Sequence, residues 1–184
     1  MASIFSHAVV GLSLGSAFYR PGVPRRLWIA GAFFSVLPDI DVVGFYVGIP
    51  YRAFWGHRGF THSLLFALVT AIAVGLLICK SPNCGIQRPW IVLYLFLVTA
   101  SHGLLDAMTN GGLGVAFFSP FNHQRYFLPW RPIRVSPIGV GHFLGARGLA
   151  VLKSEFVWVL MPALLFAALA WYVRSSRVST RRSA

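Results

Sequence analysis

The stretch His57-Arg58-Gly59-Phe60-Thr61-His62-Ser63 sets two imidazoles and a guanidinium just ahead of a long apolar run. Ionisable side chains are costly beside hydrocarbon, so a histidine pair at the mouth of an apolar helix marks a functional site. His102 and Asp106, in Ser101-His102-Gly103-Leu104-Leu105-Asp106, are four residues apart and stack on one helical face, which suits two ligands of one metal or of two adjacent metals. Asp39 and Asp41, in Leu37-Pro38-Asp39-Ile40-Asp41, share a side only in an extended segment, and Pro38 is expected to end the helix and supply one. His57 and His62 would diverge by about 140° on a continuous helix, so a loop-to-helix corner is needed to aim both rings at one point.

Neutral imidazoles with carboxylates suit zinc, manganese or iron(II), whereas calcium takes oxygen alone. With His7 near the start of the chain, the donors outnumber the needs of one tetrahedral ion, so we expect one or two divalent ions, zinc first. Two ions generate hydroxide near neutral pH and clamp the oxygens of an ester or phosphoryl group. A carboxylate left outside the coordination sphere would serve as general base, and Asp41 and Glu155 are the candidates. Glu155 is also expected to open the last helix and complement its dipole.

These residues need elements to carry them, and composition says which kind. At 184 residues, 57% hydrophobic and 11% charged, with mean hydropathy +0.69, the chain is too apolar for an ordinary soluble domain. Asp39, Asp41, Asp106 and Glu155 are its four carboxylates, and three of them lie beside Pro or His motifs. The net charge of +12 does not form a basic stripe but is scattered between apolar runs, which excludes a nucleic-acid partner and points to anionic lipid headgroups. Cys79 and Cys84 fit neither a disulfide framework nor a zinc knuckle.

Five apolar segments follow in order: about Ile4 to Tyr19, Leu27 to Leu37, Thr61 to Cys79, Trp90 to Met108 and Glu155 to Val173. The first has no basic residue ahead of it and three behind, the reverse of a signal peptide. The fold expected is therefore all-α: a polytopic membrane helical bundle of about five spans, forming one integral membrane domain over 1–173. Thr61 is expected to cap the third span. Residues 109–153, rich in Gly, Pro and aromatic residues, form a long interfacial loop between the fourth and fifth spans and read as a lid or headgroup-binding segment. Residues 174–184 read as a basic, frayed tail.

Threading five spans back and forth tests the metal idea. His7, Asp39, Asp41, His57, His62, His102, Asp106 and Glu155 all fall on the same side of the membrane. The other side carries Arg20, Arg25, Arg26, Lys80, Arg88, Arg174, Arg177, Arg181 and Arg182. That bias makes it cytoplasmic, so the site faces outward. Basic residues on the site side, Arg58, Arg125 and Arg131 among them, are candidates for gripping a negatively charged substrate.

The ordered set Phe5-Ser6-His7, Leu37 to Asp41, His57 to Ser63 and Ser101 to Asp106 resembles the YdjM family. The loop pieces Ser119-Pro120-Phe121, Arg125-Tyr126-Phe127 and Pro129 to Ile133, and Ser154-Glu155, are similar to it too, so the resemblance spans nearly the whole chain. It implies a bacterial inner-membrane, metal-dependent hydrolase with His7, Asp39, Asp41, His57, His62, His102 and Asp106 at the metal site. The expected substrate is a lipid or a lipid-linked phosphate or ester. The alternative is a membrane protein that binds or transports metal or haem without hydrolysis.

Overall fold

The computed structural model describes residues 1–20, 22–78, 85–138 and 140–182, with side chains as far as residue 176 and that of Val140 excepted. Cys79, Lys80 and Cys84 lie outside the described residues. Among those described the chain is helical and contains no strand; its β contacts are isolated bridges, Thr109 to Ile133 and Val115 to Tyr126. Helix α1 spans Ile4–Phe18 and α2 spans Arg25–Val36, the latter running on through a 3-10 stretch, Leu37–Val42, into the single turn α3, Val43–Tyr46. Helices α4, Leu64–Ile78, and α5, Arg88–Ala107, follow; then come α6, Val140–Phe143, α7, Ala146–Glu155, and α8, Met161–Arg182.

Arg25–Tyr46, Arg88–Ala107 and Ala146–Ser176 are long and apolar enough to cross a membrane, while Ile4–Phe18 and Leu64–Ile78 are apolar but shorter. The core lies where α1, α2 and α5 meet, around Leu27, Phe34, Ile91, Tyr94, Leu95 and Val98. Close approach there depends on small residues. A Cβ on Gly31 of α2 would fall 1.9 Å from the Tyr94 hydroxyl oxygen, and that hydroxyl donates to the Gly11 carbonyl of α1 at 3.2 Å. Large apolar side chains such as Ile29, Leu77, Leu165 and Leu169 point outward, as a hydrocarbon solvent permits.

Three local expectations are corrected. The α-helix does end beside Pro38, at Val36, but Pro38 then occupies the first turn of a 3-10 stretch, so the chain is not extended at Asp39 and Asp41. At three residues per turn the two carboxylates stand about 120° apart around the axis. Thr61 does not cap α4; it lies in a 3-10 turn, Phe60–His62, and Ser63 does the capping, its hydroxyl accepting from the Phe66 amide at 3.1 Å. Glu155 does not open the last helix, because α7 begins at Ala146 and passes through a π-helical turn, Phe156–Leu160, into α8. The helix also continues through Arg182, into the residues read as a tail.

The segment between α5 and α6 folds back across one end of the helices. Its backbone is pinned by Asn110 to Ile133, Val115 to Tyr126 in both directions, Leu128 to Ala107, Ala116 to Arg58, and Leu64 to Phe117. At the opposite end Arg174 of α8 donates to the Ser16 carbonyl at 2.8 Å and lies over the Tyr19 ring.

Candidate metal centre

The ends of four helical segments meet under that folded-back loop. The 3-10 extension of α2 carries Asp39 and Asp41, the corner before α4 carries His57 and His62, α5 carries His102 and Asp106, and the first turn of α1 carries His7. All seven are buried except Asp39, whose side chain is 11% exposed.

Asp39, His62, His102 and Asp106 form a group that could hold a metal ion, their nearest donor atoms all within 4.8 Å of one another. His102 Nε2 stands 3.1 Å from His62 Nε2 and 3.3 Å from Asp39 Oδ1. His62 Nε2 stands 3.7 Å from Asp39 Oδ1 and 3.6 Å from Asp106 Oδ2. Ligands about 2.0–2.1 Å from a tetrahedral zinc are separated by about 3.3 Å, so these edges fit such an ion.

The protons argue the same way. His102 Nδ1 is 2.8 Å from the Ser35 carbonyl, which can only accept, so Nδ1 carries the hydrogen and the neutral ring offers a lone pair at Nε2. His62 Nδ1 is 3.1 Å from Asp41 Oδ2 and 3.1 Å from the Thr61 hydroxyl, which itself donates to Asp41 at 2.6 Å. Again Nδ1 donates and Nε2 is left as a lone pair. With both rings neutral, two imidazole lone pairs face each other among carboxylate oxygens, a contact that either a proton on His62 Nε2 or a cation removes. Both oxygens of Asp39 and Oδ2 of Asp106 lack a hydrogen-bond partner among the described residues. One proton on His62 relieves one contact; a divalent cation satisfies all four donors. Burial by itself would lower the proton affinity of His62, but Asp106, Asp39 and Asp41 around it raise its pKa well above that of free histidine.

Asp41, His57 and His62 form a second group with metal-ligand spacing. Here Asp41 is already engaged: it accepts from His57 Nδ1 at 2.7 Å, the Arg58 amide at 3.1 Å and the Thr61 hydroxyl, which is itself hydrogen-bonded to His62 Nδ1. A carboxylate holding the far nitrogen of a ligating histidine fixes the ring's tautomer and aim. His57 packs edge-on against His62 with ring centroids 5.5 Å apart, and its pKa is lowered by burial, against the opposing pull of Asp41.

His7 lies flat on His102, ring centroids 3.7 Å apart, with Nε2 3.5 Å from Asp106 Oδ1 and neither ring nitrogen hydrogen-bonded among the described residues. Asp106 Oδ1 accepts from the Ala2 amide at 2.7 Å, and Oδ2 lies 2.9 Å from Arg58 Nε, near enough for an ion pair though off-line for a hydrogen bond. Glu155 is fully buried and accepts from the amide and hydroxyl of Ser3, each at 2.5 Å.

Of the three arginines read as substrate contacts, Arg58 and Arg125 face the protein. Arg58 is fully buried at φ 61, a left-handed conformation rare outside glycine, and donates to Gly111 O and Thr109 Oγ1, each at 3.0 Å. Arg125 holds the preceding loop through the carbonyls of His57 and Tyr51, at 2.8 and 2.9 Å. Arg131 is exposed and lies over the Phe127 ring. Sequence reasoning missed Ser35 and Ala2, and read Thr61 only as a helix cap. A backbone carbonyl or amide leaves no mark in residue type, whereas Thr61, lying between two marked histidines, was open to notice.

The model of the YdjM inner membrane protein family matches residues 1–177. Inner membrane protein YbcI of Escherichia coli (strain K12) is 37% identical over 174 residues, which is 95% of this chain and 99% of that protein. No solved structure matches.

Proposed function

The chain belongs to the YdjM inner membrane protein family, and on that premise we propose that it is a multi-pass, metal-dependent hydrolase of a lipid or lipid-linked phosphate or ester. The two short apolar helices join the three long ones as spans, giving five passes, and the site opens to the extracytoplasmic face under the 109–145 loop. The observation that carries the reading is the convergence of the His62 and His102 lone pairs on the unpartnered oxygens of Asp39 and Asp106. A divalent ion, zinc by donor type, supplies Lewis acidity and acidified water when bound.

The protein's part is to hold and aim the donors. Ser35 fixes the tautomer of His102, and Asp41 with Thr61 fixes that of His62. Arg58 and the Ala2 amide fix Asp106 and offset its charge. Asp39, whose two oxygens are buried and have no hydrogen-bond partner among the described residues, would serve as a ligand of the ion. Asp41 and Glu155, the sequence candidates for general base, have their oxygens engaged by donors, so we assign them to positioning.

That same engagement favours a second reading, a metal-binding protein without hydrolysis, since no wholly free carboxylate stands beside the group among the described residues. Elemental analysis of the purified chain, followed by assay of membrane-lipid hydrolysis with and without chelator, separates the two. Stoichiometric metal with chelator-sensitive hydrolysis, both lost in His102→Ala, is the expected result. Metal without hydrolysis selects the second reading, and no metal removes both.

A further inference from the structure

Two of the helices that carry the donor residues are long and apolar enough to cross a membrane, Arg25–Tyr46 and Arg88–Ala107. Asp39 lies within the first, and His102 and Asp106 lie within the second. At about 1.5 Å per residue, Asp39 stands about 21 Å along the helix from Arg25, His102 about 21 Å from Arg88, and Asp106 about 27 Å from Arg88. A hydrocarbon core roughly 30 Å thick that begins at those arginines therefore closes over the donors by about 3 to 9 Å. Sliding the core to free them would draw Arg25, Arg26 and Arg88 into hydrocarbon, and any tilt of the helices shortens the vertical rise and sinks the donors further.

The outer surface gives the same level independently. Between Arg26 and Tyr46 the exposed residues are Ile29, Phe33, Ile40 and Val43, and between Trp90 and Ala107 they are Leu93 and Leu104. Beside His7, in the first turn of α1, Ile4 and Phe5 are exposed. The apolar surface thus runs past the donors without a break, as contact with a membrane requires. Exposed polar side chains return on the loops that cover the group, at Arg52, Asn110, Asn122 and Gln124. Trp55 and Trp130 are exposed on the same loops, as tryptophans at a membrane–water interface are. On the water side those loops are held down by backbone hydrogen bonds from Ala116 to Arg58, Leu64 to Phe117 and Leu128 to Ala107, each at 3.0 Å.

We propose that the His/Asp group is an intramembrane centre, lying in the hydrocarbon of the leaflet away from Arg25 and Arg88, and that it takes the ester end of a membrane lipid's acyl chain. This rests on the hydrolase reading and narrows its substrate to a carboxylic ester. An acyl ester sits where hydrocarbon meets headgroup, the nearest reactive linkage to a group at this depth. The phosphate lies farther out, in a polar layer about 5 to 8 Å thick on each side of the core. Hydrolysis there places the hydroxyl of water on the acyl carbon and the remaining proton on the departing alcohol oxygen, releasing a fatty acid.

Nitroxide labels on single cysteines, introduced after Cys79→Ser and Cys84→Ser, read the depth in phosphatidylethanolamine–phosphatidylglycerol vesicles. Phe5→Cys, Ile40→Cys and Leu104→Cys flank the donors, Leu93→Cys lies well inside α5, and Gln124→Cys lies on the covering loop. Oxygen concentrates in hydrocarbon, whereas chromium oxalate stays in water. The ratio of relaxation by oxygen to relaxation by chromium oxalate is expected to match that at Leu93 for the three flanking labels and to exceed that at Gln124 several-fold. Retained metal content shows that a labelled variant is folded, and Leu64→Cys replaces any that loses it. With the native chain, diacyl phosphatidylglycerol is expected to release fatty acid while its dialkyl ether analogue stays intact. Flanking labels that behave as Gln124 does overturn the intramembrane position, whatever the hydrolysis. Release of the phosphorylated headgroup overturns the ester assignment. Labels in hydrocarbon with neither lipid cleaved remove the hydrolase reading, and the ester assignment with it, while confirming the depth.

Discussion

Asp41→Asn separates a residue that positions the metal ligands from one that binds the ion. Asp41 accepts from three donors, His57 Nδ1, the Arg58 amide and the Thr61 hydroxyl, at 2.7 Å, 3.1 Å and 2.6 Å, and its Oδ2 stands 3.1 Å from His62 Nδ1. Removing the carboxyl group altogether would leave buried donors unpaired at about 1–3 kcal/mol each, enough to confuse lost folding with lost binding. Asparagine keeps the shape and one acceptor oxygen but turns the other position into a donor. Where the new amide nitrogen replaces the oxygen that meets Thr61 and His62, the change sets N–H against N–H and frees the His62 ring to turn. Carboxylates that hold ligating histidines in this way are worth about 10–100-fold in metal affinity, or about 1.4–2.7 kcal/mol. Competition against a fluorescent zinc chelator, with thermal unfolding as the folding control, should show a loss in that range with the stoichiometry unchanged. An affinity within about twofold of the native chain refutes the positioning role. A fall from two ions per chain to one refutes it differently, by making Asp41 a ligand.

Other consequences follow from the same geometry. Because the carboxylates around His62 raise its pKa, an incoming ion must displace a proton held more tightly than on free histidine. Metal affinity should therefore weaken as pH falls through and below neutrality, with proton release on binding measurable by calorimetry in buffers of different ionisation heat. Gly31→Ala forces a methyl group to 1.9 Å from the Tyr94 oxygen and should cost about 1–3 kcal/mol in stability, part of which Gly31→Ala/Tyr94→Phe recovers in a thermal melt. Ser63→Ala removes the cap of α4 and should cost about 1 kcal/mol, while leaving metal stoichiometry intact.

Part of this architecture can be read directly from residue spacing. His102 and Asp106 meet in one group because both lie inside a regular helix, where a separation of four fixes their common face. Asp39 and Asp41 show the opposite case. Their arrangement depends on whether Pro38 ends a helix or sits in the first turn of a tighter one, and the sequence near Pro38 is compatible with either. The result decides the chemistry, since the 3-10 twist sends Asp39 to the His62–His102 group and Asp41 to the rear of His62. Glu155 escapes placement by hydropathy because α7 is too polar to extend an apolar segment, although it is continuous with α8 through the π turn. Arg58 has the loop position of a surface cation, and its left-handed backbone turns it inward to Asp106.

X-ray absorption at the metal edge of the purified chain reads the ligand set itself. One site with two imidazole nitrogens and carboxylate oxygens as its ligands is expected, and one imidazole fewer in His102→Ala, which loses the metal on purification, once that variant is reloaded with excess metal. A spectrum unchanged by His102→Ala, or one showing thiolate ligands, would contradict that ligand set.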